Sequence, residues 1–165
     1  MIKPSHTLTT TLWLPRPIDD VFAFFGDAAN LDQLTPPFLG FRILTPLPIV
    51  MVEGALIDYR ISLRGVPITW RTRIASWEPP SRFSDEQLKG PYSLWHHLHT
   101  FVPHERGTLC TDRVDYRSPG GALVHRALVA PELLRIFRFR QDTMLRLFGG
   151  LKAGRLIEPP TIKSA

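Results

Sequence analysis

Cysteine is nearly absent from this chain of 165 residues, which carries only Cys110. One thiol cannot form an intrachain disulfide, so core packing must hold the fold, and the usage fits a reducing compartment. No apolar run approaches the ~20 residues needed to cross a bilayer. The opening MIKPSHTLTT lacks the apolar core of a secretory signal. These absences lead to the expectation of a soluble, cytoplasmic protein. No nucleotide-binding glycine loop is present either: Gly120-Gly121 and Gly149-Gly150 sit at helix boundaries, where turn chemistry explains them. There is no internal repeat and no low-complexity stretch. One domain over residues 1–150 with a loose tail at 151–165, which contains Pro159 and Pro160, is the expected organisation.

What is present is an ordinary globular composition, 44% hydrophobic and 21% charged, with a net charge of +5. The excess suggests an anionic partner, and Arg126, Arg135, Arg138, Arg140, Arg146, Lys152 and Arg155 all fall in the last third. Most of them map to one helix, where a solvated face accounts for them. No nucleic-acid motif and no aromatics interleaved with the arginines accompany them, so nucleic acid is not an expected partner. Contact of this basic helix with an anionic membrane surface remains a minor reading.

The periodicity lays out the elements in order. His6–Leu14 is threonine-rich, stops at Pro15 and reads as a strand. Pro17–Phe25 places Ile18, Val21, Phe22 and Phe25 on one helical face, with Asp19 and Asp20 in the first turn. Ala28–Leu34 reads as a second short helix stopped by Pro36 and Pro37. Period two then takes over, giving strands at Ala55–Arg64, Ile68–Trp77, Arg82–Leu88, Tyr92–Val102 and Thr108–Arg117. Their short connections require antiparallel pairing. Helical spacing returns after Gly121. Pro131 is expected to split that region into a short helix and a long one, Pro131–Phe148, ended by Gly149 and Gly150. Leu134, Phe137, Met144, Leu145 and Phe148 form its expected inward stripe, with Arg135, Arg138, Asp142 and Arg146 opposite. The fold class is therefore α+β: a curved antiparallel sheet of about seven strands around a long C-terminal helix, with two short helices after the first strand. A space between sheet and helix is a natural ligand pocket.

Four segments resemble a known superfamily. LPRPIDDVFAFFGDAANLDQLTPP looks like the strand-to-helix opening of the START-like, helix-grip proteins, which include the polyketide cyclase/dehydrase and birch-allergen-like families. RFSDEQLKGPYSLWHHLHTF, GTLCTDRVDYRSPGG and IFRFRQDTMLRLFGG resemble a bacterial subgroup of unassigned activity. Its pattern falls here on Phe83, Asp85 and Gln87, then Gly90, Pro91 and Tyr92, then Trp95, His97, His99 and Phe101. The resemblance covers roughly residues 5–150 and implies a helix-grip fold with an internal cavity for an apolar or amphipathic small molecule. It carries no catalytic motif, and the fold hosts carriers, sensors and cyclases alike.

GPYSLWHHLHTFVPHERG holds four of the six histidines. On a strand, Trp95, His97, His99 and Phe101 share one face and His96 lies on the other. If the hairpin closes through Glu105-Arg106, Phe101 meets Cys110, His99 meets Asp112, His97 meets Val114 and Trp95 meets Tyr116. The uncharged-rich even positions of the next strand then face inward with them. A three-residue loop ending at Gly107 would reverse the parity and expose both histidines.

Three readings of the inward pair stay open. The first is a polar pocket wall in which Asp112 accepts a hydrogen bond from His99. The second is acid/base chemistry of the aromatase/cyclase or dehydratase kind, with His99 oriented by Asp112. The third, ranked last, is a metal site in which Asp85 adds a third ligand. No metal and no cofactor are expected. Cys110 reads as a small buried thiol rather than a nucleophile. The expected function is binding of a hydrophobic or aromatic molecule, lipid- or polyketide-like. Its wall comprises Tyr59, Trp70, Asp85, Trp95, His97, His99, Phe101, Asp112 and Tyr116 from the sheet, with Phe137 and Met144 from the helix.

Overall fold

Alternation drives the first strand: Leu8, Thr10, Leu12 and Leu14 are buried along His6–Leu14 (β1) while the intervening residues stay half-exposed. In this computed structural model, which describes residues 4–149 and 153–165, β1 leads into the helix Ile18–Phe25 (α1). Pro17 supplies its N-cap position, and Val21 and Phe22 are its buried face. A 3-10 turn at Ala28–Asn30, capped by the Asp27 side chain on Ala29 N–H, runs into the single-turn helix Leu31–Leu34 (α2).

The sheet follows as Arg42–Ile43 (β2), Leu56–Leu63 (β3), Val66–Glu78 (β4), Arg82–Lys89 (β5), Leu94–His104 (β6) and Gly107–Arg117 (β7). All neighbours pair antiparallel, in the order β2-β3-β4-β5-β6-β7-β1, with Arg155–Ser164 (β8) beyond β1. This last member corrects the expectation of a loose tail and raises the count from about seven strands to eight. Pro159 and Pro160 are tolerated because β8 is an edge strand and its register against β1 shifts around them. Of the residues singled out in the sequence, Gly150 and Lys152 lie outside the described residues.

The β6–β7 hairpin closes through a two-residue turn in which Glu105 and Arg106 have φ of 46° and 62°. Two consecutive left-handed residues are the turn whose twist matches the flanking strands. It sets His104 opposite Gly107 and thereby His99 opposite Asp112, His97 opposite Val114 and Trp95 opposite Tyr116.

After Gly121–Val124 (α3), a π-turn at His125–Val129 passes directly into the helix Ala130–Phe148 (α4). Pro131 therefore does not split the region. The widened turn before it absorbs the missing N–H while the backbone stays helical through Ala130. Leu133, Phe137, Gln141, Met144 and Leu145 are buried, and Leu134 is only half-buried, so the inward stripe is rotated by one residue at its start. The sheet curves around α4 in a helix-grip fold.

Candidate functional site

Between the concave sheet face, α4 and the segment around α2 lies a cavity of about 190 Å³. Apolar and aromatic side chains make most of its wall, including Ile57, Ile61, Trp70, Ile74, Leu133 and Phe137. Asp85, His97, His99 and Arg140 make a polar end.

Of the residues expected from sequence, Tyr59, Trp70, Asp85, Trp95, His97, His99 and Phe137 line this space. Phe101, Tyr116 and Met144 do not. Phe101 faces inward but meets Phe22 and Phe25 at 5.5 and 5.0 Å between ring centroids, and Met144 joins the same cluster. Both belong to the end of the sheet that α1 fills. Tyr116 is fully buried and bonds its hydroxyl to His125 Nε2 at 2.8 Å. Asp112 is buried with the histidines without lining the cavity itself.

The polar end is a crossed arrangement on three adjacent strands. Asp85 on β5 pairs with His97 on β6, and Phe83 with His99. Across the other edge of β6, His99 pairs with Asp112. The hydrogen bonds run along the diagonals: His97 Nε2 donates to Asp112 Oδ1 at 3.2 Å, and His99 Nε2 donates to Asp85 Oδ2 at 3.4 Å. The expected bond from His99 to Asp112 is not an aligned one. Nδ1 of His99 lies 2.7 Å from Asp112 Oδ1, but off the N–H axis, and makes no hydrogen bond. Each imidazole thus touches both carboxylates. Phe83 stacks on His99 at 4.2 Å and fixes its ring plane.

Arg140 is the residue that sequence reasoning missed. Its Nε lies 3.4 Å from Asp112 Oδ2, and its side chain is only 11% exposed. The signal was available: Phe137, Arg140, Gln141 and Met144 follow the i, i+3, i+4, i+7 spacing of one helix face. Pooling Arg140 with the other basic residues of the helix hid it.

Burial and charge oppose each other here. Burial would raise the Asp112 carboxyl, but the Arg140 charge and the contacts of His97 and His99 hold it well below its ordinary value. Asp85 is likewise pushed up by burial and brought below its ordinary value by the bond from His99 and by neighbouring positive charge. Burial lowers His97, and the adjacent His99 adds to this. Burial also opposes the His99 cation, yet the Asp112 and Asp85 contacts prevail and raise it. These directions together favour ionised Asp85 and Asp112 beside the Arg140 guanidinium, with His99 more readily protonated than His97.

The Phe-x-Asp-x-Gln and Gly-Pro-Tyr motifs have a physical reading. Gln87 Nε2 donates to the Tyr92 carbonyl at 2.6 Å and its Oε1 accepts from Tyr92 N–H at 3.1 Å. A Cβ on Gly90 would lie 2.4 Å from Gln87 Oε1, so the amide folds over a position that must lack a side chain. The clamped Tyr92 packs on Trp95 and Trp70 in the cavity wall.

Solved structures share this architecture. Protein Ms6760 from Mycobacterium smegmatis aligns over 86% of this chain and 89% of its own, with TM-score 0.64 and 18% identity. Ara h 8.0201 aligns over 84% and 97%, with TM-score 0.56 and 15% identity. A nucleoside-diphosphate sugar epimerase from Corynebacterium glutamicum aligns over 84% of this chain but 28% of its own, with TM-score 0.60 and 26% identity. No curated protein matches. No helix among the described residues is long and apolar enough to cross a membrane. A family model described as "Polyketide cyclase / dehydrase and lipid transport" matches residues 14–138, from the end of β1 into the first half of α4. With the strand order and the gripping helix in agreement, this chain belongs to that family, within the START-like superfamily.

Proposed function

We propose that the chain binds a compact hydrophobic or aromatic molecule, lipid- or polyketide-like, in the cavity between sheet and α4. The carrying observation is an apolar space of about 190 Å³ closed at one end by His97, His99, Asp85 and Arg140. A cavity of ~150 Å³ already accommodates benzene, so this space suits one or two small rings or a short chain. Because Arg140 already faces Asp112 and the histidines already face both carboxylates, an uncharged hydroxyl or carbonyl group suits this end better than a further carboxylate. Trp70 supports the same reading: it lines the cavity, and its buried Nε1–H has no hydrogen-bond partner among the described residues. The family description, which spans cyclase/dehydrase and lipid transport, fits hydrophobic ligands in general.

Native mass spectrometry of the purified protein, followed by extraction, tests the reading. A stoichiometric hydrophobic adduct is expected, and displacement of a fluorescent hydrophobic probe from the cavity should weaken in Ile57→Trp, which fills the space. Failure of Ile57→Trp to alter probe binding, with the variant folded, counts against the site.

A second reading, an enzyme of the aromatase/cyclase or dehydratase kind, rests on His99. This imidazole faces the cavity between two carboxylates that favour its protonated form, which suits proton transfer to a bound carbonyl or hydroxyl. It requires that His99→Ala abolish turnover of a cyclisable or dehydratable substrate while leaving affinity within a few-fold. Parallel loss of both would make His99 a wall residue.

A further inference from the structure

We infer that Asp85, His97 and His99 form a binding site for one divalent transition-metal ion at the polar end of the cavity, with Asp112 as the shared outer carboxylate. Asp85, His97 and His99 can each present a ligand atom such that all three lie within 4.8 Å of one another. Asp85 Oδ2 is 3.4 Å from His99 Nε2 and 3.8 Å from His97 Nδ1. Ligand atoms bound at ~2.1 Å to a common ion sit roughly 3.0–3.4 Å apart, so modest side-chain rotation closes the triangle.

Proximity alone would be weak, because any polar wall brings such groups together. The opposite edges of the two rings carry the inference. The nitrogens turned away from Asp85, His97 Nε2 and His99 Nδ1, both lie against one atom, Asp112 Oδ1, at 3.2 and 2.7 Å. A histidine that binds a metal through one nitrogen characteristically gives its other N–H to a carboxylate, which fixes tautomer and ring direction. Here one carboxylate stands behind both rings, and Arg140 stands behind its other oxygen at 3.4 Å. The buried His99 Nδ1, without a hydrogen bond of its own, is the atom that a slight turn of the ring brings onto the Asp112 axis.

The donor set, two imidazoles and one carboxylate with no thiolate, suits Zn2+, Fe2+, Co2+ or Mn2+. Three protein ligands leave at least one position open, and that position faces the cavity, where a carbonyl or hydroxyl oxygen could fill it. The inference does not depend on the identity or existence of an organic ligand, since the ion can be tested alone.

The test uses tag-free full-length protein stripped with chelator and loaded with Zn2+. Gel filtration followed by elemental mass spectrometry should find one equivalent retained. Asp85→Asn and His99→Gln should each weaken zinc binding by at least tenfold in a competition titration, whereas His96→Gln, on the opposite strand face, should retain it. X-ray absorption of the zinc-loaded wild-type protein should show two imidazole ligands, a readout that requires no variant to fold. Absence of stoichiometric zinc, equal affinity in a folded His99→Gln protein, or a coordination shell without histidine would overturn the inference.

Discussion

Replacing Arg140 with methionine isolates the electrostatic balance of the buried cluster. The guanidinium is nine-tenths buried and faces Asp112, whose own side chain is 9% exposed. Methionine keeps much of the aliphatic length but removes the charge, leaving Asp112 and Asp85, the two carboxylates beside the histidines, with no fixed cation. Breaking such a pair costs about 3–5 kcal/mol, and the poorly aligned 3.4 Å contact puts this site near the lower end. For a chain of this size about 3 kcal/mol corresponds to a fall in Tm of roughly 6–12 °C. Asp112→Asn should cost a comparable amount by stranding the arginine, while the Asp112→Asn, Arg140→Met double variant should cost clearly less than the sum. Urea and thermal unfolding of the four proteins give the cycle. Arg140 is also the leading influence that depresses the Asp112 carboxyl, so the single variant should unfold in acid at a higher pH than wild type. A melting point for Arg140→Met within about 2 °C of wild type would refute the claim that this contact neutralises the cluster.

Other consequences are equally open to measurement. Glu105→Asn with Arg106→Gly should stabilise the β6–β7 hairpin, because both positions hold left-handed φ with side chains that disfavour it. The gain is ~1–2 kcal/mol, reduced by loss of the exposed Arg155–Glu105 pair, and a chemical-denaturation midpoint reads it. Gln87→Ala removes both hydrogen bonds that clamp Tyr92 and should cost ~1–3 kcal/mol while weakening hydrophobic-probe binding, measured by unfolding and by fluorescence titration. His6 stacks on His125 at 3.5 Å, and burial lowers both from the ordinary value of 6.5, with the His6 charge adding to the effect on His125. Their folded pKa values lie below the unfolded ones, so their contribution is full above the ordinary histidine pKa and declines as pH falls through it. His6→Phe should therefore flatten the wild-type decline in stability between neutral pH and about pH 5.

The chain's own pattern determined most of the strands, the gripping helix and which residues of β6 share a face. These rest on local alternation, which any strand with one buried side must obey. Which register the β6–β7 hairpin takes was not fixed locally. Glu-Arg carries no Asn-Gly signal, and the left-handed turn is held by the strands on either side. The eighth strand was illegible for a related reason: two prolines argue against a ladder, and only the free edge of β1 makes them acceptable. Likewise, Phe101, Met144 and Tyr116 carry the inward parity or spacing expected of pocket residues. Only the seating of α1 and of the π-turn at His125 decides that they fill the core instead. Arg140 shows the limit most sharply. Its position on the helix face is written in the spacing, but an arginine is held there by a carboxylate from a strand 28 residues earlier. Charge pairing across a cavity is a property of the packed chain, and tertiary structure alone brings Asp112, His97, His99, Asp85 and Arg140 together.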